Sequence, residues 1–444
     1  MNTPIFDFVN KYAEEKNVRM HMPGHKGKGR FSEALDITEV GGADVLYSAS
    51  GIIKESQDNA AKLFGSGRTL YSTEGSSLSI RAMLYLAVIY AKACGKEPRI
   101  AAVRNAHKVF VTAAALLDFE IDWICSDSLI SCDFSLPELT KYFENAKNLP
   151  TALYLTSPDY LGNTLDIAEI SKVCRTFGVL LIVDNAHGAY LRFLENSRHP
   201  IALGADMCCD SAHKTLPVLT GGGYLHISKD APPLLANMAD NAMSLFASTS
   251  PSYLILSSLD RANAYIADGY REKLSAFAKK VCAIKEKLSA AGYTLCGDEP
   301  LKVTIAAKGY GYTGESLAKI LASRRIVCEF CDCDYLTLML TPENSEEELK
   351  VLEDALLSVE KRTPVTECPP RLPKLERVLS VREAMMSPSE EIDVLLANGR
   401  ILASPSVLCP PAISVAICGE RINSEAIDCF QYYGIKKCRV VCKN

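Results

Sequence analysis

The sequence predicts an α/β protein with a mainly parallel sheet. Between residues 51 and 250, short apolar runs rich in branched side chains alternate with segments of helical periodicity. That alternation is typical of a sheet covered by helices on both faces. The runs at residues 100–103 and 179–183 are each followed at once by polar residues. Because ligands of open α/β sheets lie beyond the carboxyl ends of the strands, these polar residues are expected to line one crevice.

The segment from Asp210 to Pro217 places Lys214 among small hydroxyl and imidazole groups, directly after an apolar strand. A lysine that forms a Schiff base with a cofactor aldehyde must lose its proton for part of the time, and a poorly solvated site favours the neutral amine. Ser211 and His213 can donate hydrogen bonds to a phosphate. Taken alone, such a lysine is more often a surface residue, so the interpretation depends on its neighbours.

Asp184 follows the run at residues 179–183 and would end a second strand at the same crevice as Lys214. Pyridoxal phosphate (PLP) chemistry needs this pair, because a carboxylate in a poorly solvated site keeps the pyridine nitrogen protonated and the ring electron-withdrawing. As an isolated residue, Asp184 could equally be a helix cap or a turn residue. Together, the lysine and the aspartate predict a PLP site.

A third element supplies a phosphate site. Residues 69–73 read as a strand, and a helix is predicted from about Glu74 to about Cys94. Free N–H groups at a helix start bind phosphate, Gly75 allows close approach, and Ser76 and Ser77 add hydroxyl donors.

His107 follows the strand at residues 100–103 and could lie flat on the pyridine ring. The alternative is a histidine at a helix start that has no ligand.

The chain closely resembles the Orn/Lys/Arg decarboxylase family, PLP-dependent enzymes of the aspartate aminotransferase fold (fold type I). Besides the segments above, matching motifs occur in the same order over nearly the whole chain: His21-Met22-Pro23-Gly24-His25-Lys26-Gly27, Asp36-Ile37-Thr38-Glu39-Val40, Glu55-Ser56-Gln57, Thr156-Ser157-Pro158-Asp159-Tyr160-Leu161-Gly162 and Thr249-Ser250-Pro251-Ser252-Tyr253. Of these, Glu55-Ser56-Gln57 is expected to start a helix. The resemblance implies a mainly parallel sheet of the seven-stranded type, a smaller α+β domain and a homodimer with shared active sites.

Carried over residue by residue, the resemblance implies that Lys214 is the Schiff-base lysine, Asp184 the partner of the pyridinium and His107 the stacking ring. Lys214, His213 or His187 would return a proton to the substrate carbon. The implied cofactor contacts, apart from the stacking ring, come from Gly75, Ser76, Ser77, Asp184, Ala186, Ser211, His213, Lys214 and, across the subunit interface, Thr249 and Ser250.

Several positions depart from the commoner family pattern. Tyr190 stands where a second histidine is usual, Ser77 replaces a threonine, and Gly221 stands where glutamine is frequent. Residues 409–413 resemble a Tyr-Pro-Pro-Gly-Ile motif without its tyrosine and glycine. These departures leave the identity of the substrate open.

The expected reaction is decarboxylation of arginine, lysine or ornithine to an amine that feeds polyamine synthesis. Glu329, Asp332 and Asp334 are unranked candidates for binding the distal cation. An aminotransferase, or another lyase of this fold, is one alternative, although residues 293–360 offer only Arg324 and Arg325 to clamp a substrate carboxylate. A catalytically inactive regulatory protein is the other, although retention of the buried charged residues argues against it.

Composition agrees with a cytoplasmic metabolic enzyme. The chain has 444 residues, a net charge of −5, no apolar run of membrane-spanning length and 17 cysteines without a secretion signal. We therefore expect no membrane or nucleic-acid partner. Cys328, Cys331 and Cys333 lack a further pair of ligands at zinc spacing, so no metal is predicted. Cys208 and Cys209, in a predicted strand, are expected to be small core residues.

The predicted domain organisation has four parts. Residues 1–50 form an N-terminal arm, 51–250 the PLP-binding domain, and 251–362 a linking helix with the small α+β domain. The linking helix is predicted from one helical pattern at residues 251–288. In the small domain, Tyr335–Met339 reads as a strand, and Ser345 is the predicted cap of a helix that runs to about Val359. Prolines at 364, 369, 370 and 373 mark a linker into a C-terminal module, residues 363–444.

Overall fold

The computed structural model describes residues 1–124, 135–409 and 413–443. Residues 410–412, which belong to the segment that resembles a Tyr-Pro-Pro-Gly-Ile motif, lie outside the described residues. The strands are β1 Arg68–Ser72, β2 Arg99–Val103, β3 Glu120–Ile124, β4 Ala152–Thr156, β5 Leu180–Asp184, β6 Met207–Asp210, β7 Gly223–Ile227, β8 Leu295–Cys296, β9 Lys302–Ala306, β10 Phe330–Cys331, β11 Tyr335–Met339, β12 Ser389–Asp393, β13 Ser406–Cys409, β14 Ile413–Ile417 and β15 Lys437–Val441.

The α-helices connect these strands and cover them. They are α1 Pro4–Glu14, α2 Ile52–Phe64, α3 Gly75–Ala93, α4 Lys108–Leu117, α5 Leu136–Asn145, α6 Ile167–Phe177, α7 Ala212–Thr215, α8 Pro233–Asn237, α9 Ala239–Ser244, α10 Tyr253–Ala267, α11 Tyr270–Ala290, α12 Gly314–Ser323, α13 Glu346–Leu357, α14 Val381–Met386 and α15 Ser424–Tyr432. None of the helices in the described part of the chain has the length and apolar character that a membrane crossing requires.

The chain divides into two units. Unit 1 consists of Met1–Pro98, Thr151–Leu153 and Asp166–Ser275, and unit 2 of the other described residues. The four-part division expected from the sequence remains a proposal.

In unit 1, β1, β7, β6 and β5 lie side by side in that order. β5 and β6 are parallel, whereas β7 is antiparallel to both of its neighbours. Every residue of β5, β6 and β7 is buried. Continuous apolar strands are expected where both faces of a sheet are covered.

In unit 2, β2 and β3 form a parallel pair. A separate four-stranded sheet has the order β10, β11, β9, β8, and its strands are antiparallel. In the proposed C-terminal module, residues 363–444, the pairs β12–β15 and β13–β14 are both antiparallel. Described residues of this region share an apolar core, which includes Leu402, Val415, Phe430 and Val440.

Local patterns located most elements well. The strand predicted at Tyr335–Met339 is β11, and the predicted cap Ser345 precedes α13. The prediction of a single helix from the pattern at 251–288 was wrong. Two helices, α10 and α11, occupy this segment, because Asp268 between them takes a non-helical conformation.

The predicted start of α2 at Glu55 was also wrong, since the helix begins at Ile52. The cause is Asp44, whose carboxylate accepts the N–H groups of Gly51 at 2.8 Å and Ile53 at 3.0 Å. A cap from outside the helix leaves no local signal, because the capping residue is normally adjacent to the first turn.

We expect Ser345→Ala to lower the free energy of unfolding of unit 2 by about 1 kcal/mol. Ser345 and Glu348 form a capping box in which each side chain binds the other residue's backbone N–H. Urea unfolding followed by circular dichroism measures the change. Ser323→Ala is the matched control, because its hydroxyl only donates back to the Ile320 carbonyl. Equal losses in both variants would contradict the role of the capping box.

Candidate active site

Asp184 and Lys214 both lie where neighbouring strands of the unit 1 sheet reach their carboxyl ends. Asp184 is the last residue of β5, and Lys214 lies in α7, which follows β6. The two strands are parallel, and Asp184 lies beside Cys209 in their register. Parallel strands present their carboxyl ends at one edge, so the structure brings both residues to the region that the sequence predicts.

The amine of Lys214 is 3.0 Å from Nε2 of His187. His187 is buried and Lys214 is partly buried. At this distance the imidazole and the amine share a hydrogen bond, so a proton can pass between them. The sequence places His187 in the same crevice but does not predict this contact.

The Asp184 carboxylate is buried, with 3% of the residue exposed. Its Oδ1 accepts the N–H of Ala186 at 3.2 Å and the thiol of Cys209 at 3.5 Å. Cys209, expected to be a small core residue, therefore also contacts the proposed partner of the pyridinium.

Several residues predicted to bind phosphate lie close together at the start of α3. The Ser211 hydroxyl donates to the Ser76 hydroxyl at 2.9 Å. Gly75, the first residue of the helix, has a φ of +66° that favours glycine. Within the described residues, no side chain caps α3 at Glu74, so the helix start is suited to an anion.

A second glycine allows β7 to approach this turn. A Cβ at Gly223 would lie 3.0 Å from the carbonyl carbon of Gly75 and 2.9 Å from the carbonyl oxygen of Asp210. His213 is held nearby, because its Nδ1 donates to the Gly222 carbonyl at 2.9 Å. The segments that follow β1 and β6 therefore both pass close to the backbone of Gly223.

The other residues predicted to contact the cofactor are Ser77, Thr249 and Ser250. Ser77 lies in the first turn of α3 and is partly buried. Thr249 and Ser250 are exposed between α9 and α10. The Ser248 N–H donates to Glu74 Oε1 at 2.7 Å, which ties this segment to the start of α3.

His107 belongs to unit 2, where it is the N-cap of α4. Its Nδ1 accepts the N–H of Val109 at 3.3 Å, and the residue is exposed. The helix-start position that the sequence suggested is confirmed, and the stacking role remains a proposal.

A buried polar network below the site was missed by sequence reasoning. Asp210 Oδ2 accepts a hydrogen bond from Nε2 of His199 and from Nε2 of His226, both at 3.1 Å, and Oδ1 accepts the Asn185 amide at 2.6 Å. All four residues are fully buried. The available signal was the presence of polar residues at strand positions where apolar ones are expected.

Burial alone would raise the pKa of the Asp210 carboxyl, but His199 and His226 outweigh it and hold that pKa well below its usual range. Burial lowers the pKa of the His226 imidazole, which Asp210 only partly offsets. The network is thus built for an ionised carboxylate between imidazoles.

Two groups of residues in the described chain have the spacing of metal ligands: His199, Cys208 and Asp210, and Asp332, Cys333 and Asp334. Asp210 is already bonded to two imidazoles, and Asp334 is 2.8 Å from the Lys308 amine. Neither group therefore supports a metal site.

The family model described as "Orn/Lys/Arg decarboxylase, major domain" matches residues 3–296. The chain therefore belongs to the Orn/Lys/Arg decarboxylase family, and it is a PLP-dependent decarboxylase that acts on an amino acid.

Among its relatives, an arginine decarboxylase of Bacillus subtilis is 28% identical, with 96% of this chain and 92% of the relative covered. An uncharacterized protein of the same organism, YaaO, is also 28% identical, covering 96% of this chain and 93% of its own.

The solved structure of lysine decarboxylase A from Pseudomonas aeruginosa superimposes with a TM-score of 0.78 at 18% identity, covering 97% of this chain and 75% of the other. A likeness at this identity shows the fold. The predicted fold class, an α/β PLP-dependent enzyme of fold type I, is confirmed.

The residues fit PLP. The start of α3 and the hydroxyls of Ser76 and Ser211 can hold the phosphate, and the buried Asp184 carboxylate can hold the pyridine nitrogen. Lys214 could supply the amine for the aldehyde, from the same edge of the sheet. Each part of the cofactor thus has a matching group in unit 1.

We expect the unfolding free energy to fall as the pH is lowered from 7 to 3. Because the folded pKa values of His226 and Asp210 are depressed, the unfolded chain binds protons first, below about pH 6.5 and about pH 4 respectively. In Asp210→Asn the loss below about pH 4.5 should shrink. The variant should also be less stable at pH 7 by about 2 kcal/mol, because its histidines lose a charged partner.

Urea unfolding at each pH measures this dependence. Asp58→Asn, which removes an exposed ion pair with Lys54, is the control and should change stability by less than about 1 kcal/mol. An acid profile of Asp210→Asn that coincides with wild type would contradict the contribution of Asp210.

Proposed function

We propose that this enzyme decarboxylates a basic amino acid, with arginine as the first candidate. One observation carries the proposal: the Lys214 amine lies 3.0 Å from His187, at the sheet edge where Asp184 ends β5. This arrangement supplies an amine, a proton-transfer partner and a buried carboxylate. When bound, PLP withdraws electrons from the α-carbon of the substrate and so permits the loss of carbon dioxide.

In this proposal, Asp184 keeps a proton on the pyridine nitrogen, because its carboxylate is removed from water. Gly75, Ser76, Ser77, Ser211 and His213 hold the phosphate, Ala186 contacts the ring, and His107 stacks on it. The hydrogen bond from Ala186 to Asp184 fixes the carboxylate.

Lys214 and His187 are the proposed source of the proton that replaces carbon dioxide on the α-carbon. Their 3.0 Å contact lets His187 return a proton to the lysine amine. His213 is less suited to this task, because its Nδ1 is fixed on the Gly222 carbonyl and its ring lies beside Gly75.

Glu329 is the best candidate in unit 2 for binding the distal cation of the substrate. It is exposed and accepts a hydrogen bond from the Tyr160 hydroxyl at 3.2 Å. Asp334 is already paired with Lys308. Asp332 is buried, and its Oδ1 already accepts the N–H groups of Asp334 and Tyr335 at 2.7 and 2.6 Å.

Arginine is favoured because relatives of similar length are named arginine decarboxylases. We further propose a cytoplasmic enzyme that supplies an amine to polyamine synthesis. It would act as a homodimer in which Thr249 and Ser250 reach the partner's cofactor, since both residues are exposed.

We expect wild-type protein with PLP to show a visible absorbance band and to release equal amounts of carbon dioxide and amine from arginine, and less from lysine or ornithine. Lys214→Ala should lose the band and at least about three orders of magnitude of activity. Lys62→Ala, on α2, is the control and should keep both. Keto acid formed without carbon dioxide would refute the reaction.

Glu329→Gln should raise the KM for arginine about tenfold, because a charge-assisted contact with the distal cation is lost. The visible band should persist, since Glu329 is not among the proposed cofactor ligands. Steady-state kinetics measure KM, and Glu343→Gln provides a control carboxylate at an exposed position. An unchanged KM would exclude Glu329 as the cation partner.

A further inference from the structure

Arg104 directly follows β2 and is enclosed by the C-terminal module. Its Nη1 and Nη2 donate to the two carboxylate oxygens of Glu420, at 2.7 and 3.0 Å. Both side chains are only 7% exposed. Such a two-point contact fixes direction as well as distance, because the planar guanidinium matches the carboxylate geometry.

Nε and Nη2 of Arg104 also donate to carbonyl groups of the module. Nε and Nη2 donate to the Ser414 carbonyl at 3.3 and 3.1 Å, and Nη2 also reaches the Val415 carbonyl at 3.3 Å. The Ser414 N–H returns a bond to the Arg104 carbonyl. Glu420 is itself held by the N–H of Ile417 at 2.9 Å. Both members of the pair therefore have hydrogen bonds besides their mutual contact, which a buried ion pair needs.

The module also holds the opposite end of α4. Arg382 of α14 donates to the carbonyls of Ala115 at 2.8 Å and Leu116 at 3.3 Å, and its Nε lies 3.8 Å from the Asp118 carboxylate. The last carbonyls of a helix have no partner within the helix, so a cation there satisfies them. One module thus holds both the segment that precedes α4 and the last turn of this ten-residue helix.

His107 lies between these two attachments, three residues after Arg104 and immediately before α4. We propose that Glu420, acting through Arg104, is a positioning residue for His107. The inference rests on the proposed stacking of His107 on the cofactor. A stacking ring must be held to within a fraction of an ångström, and supporting hydrogen bonds supply that constraint. The C-terminal module then has a role in the active site although Glu420 does not contact the cofactor.

The chain contains a built-in reporter for this helix. Its single tryptophan, Trp123 on β3, packs against Phe110 of α4, with ring centroids 5.7 Å apart. Movement of α4 should therefore change Trp123 fluorescence in the protein before PLP is added, which gives a readout independent of activity.

We expect Glu420→Gln to shift Trp123 emission and to raise the Kd for PLP about tenfold, measured by titration of the visible band. Arg421→Gln, which removes an exposed pair with Glu376 in the same module, should change neither. Because Glu420→Gln leaves a buried arginine uncompensated and can unfold the protein, Arg382→Gln provides a second variant at an exposed position. It should act in the same direction with a smaller effect.

A cycle with His107→Ala separates the inference from the proposed function. If Glu420 acts through His107, Glu420→Gln should alter PLP affinity by less than about twofold in the His107→Ala background. A tenfold effect in both backgrounds would overturn the positioning role while leaving His107 in place. A His107→Ala protein with wild-type PLP affinity and wild-type kcat would refute the role of His107 itself, and with it the inference.

Discussion

The hydrogen bond between Asn185 and Asp210, at 2.6 Å, joins the ends of the two strands that carry the proposed active site. Asn185 directly follows Asp184, and Asp210 lies four residues before Lys214. Both members are fully buried, so the contact is shielded from competing water. The imidazoles of His199 and His226 hold the other carboxylate oxygen of Asp210. These buried hydrogen bonds therefore fix the distance between the two strand ends that carry Asp184 and Lys214.

The sequence predicted those elements whose determinants are local. β5, β11 and α13 have apolar runs or caps within their own residues, and the structure places them within one or two positions. The start of α2 and the break after α10 escaped prediction. The first depends on Asp44, outside the helix, and the second on the conformation of one residue in an otherwise helical pattern.

The residues of the proposed site also divide into those that local sequence predicts and those that it does not. Asp184, Lys214 and Gly75 stand at strand ends or a helix start, so their grouping could be predicted from topology. The Asp210 network could not, because Asp210 and His226 look like occasional polar residues within apolar strands, and Asn185 and His199 lie outside the strands. Tyr190, a departure from the family pattern, is fully buried, and its hydroxyl has no hydrogen-bond partner among the described residues. A tyrosine in a histidine's place thus changes the polarity of this position.

Arg104 and Glu420 are separated by 316 residues in the chain, yet each neutralises the other. Synthesis adds about 5–20 residues per second, so many seconds pass between the addition of Arg104 and the addition of Glu420. Until residue 420 has left the ribosome, a strand end of unit 2 carries a cation that cannot be buried at low cost. A nascent chain that lacks residue 420 has no carboxylate to offset the burial of Arg104, so this part of the core can be completed at low cost only after residue 420 has been added.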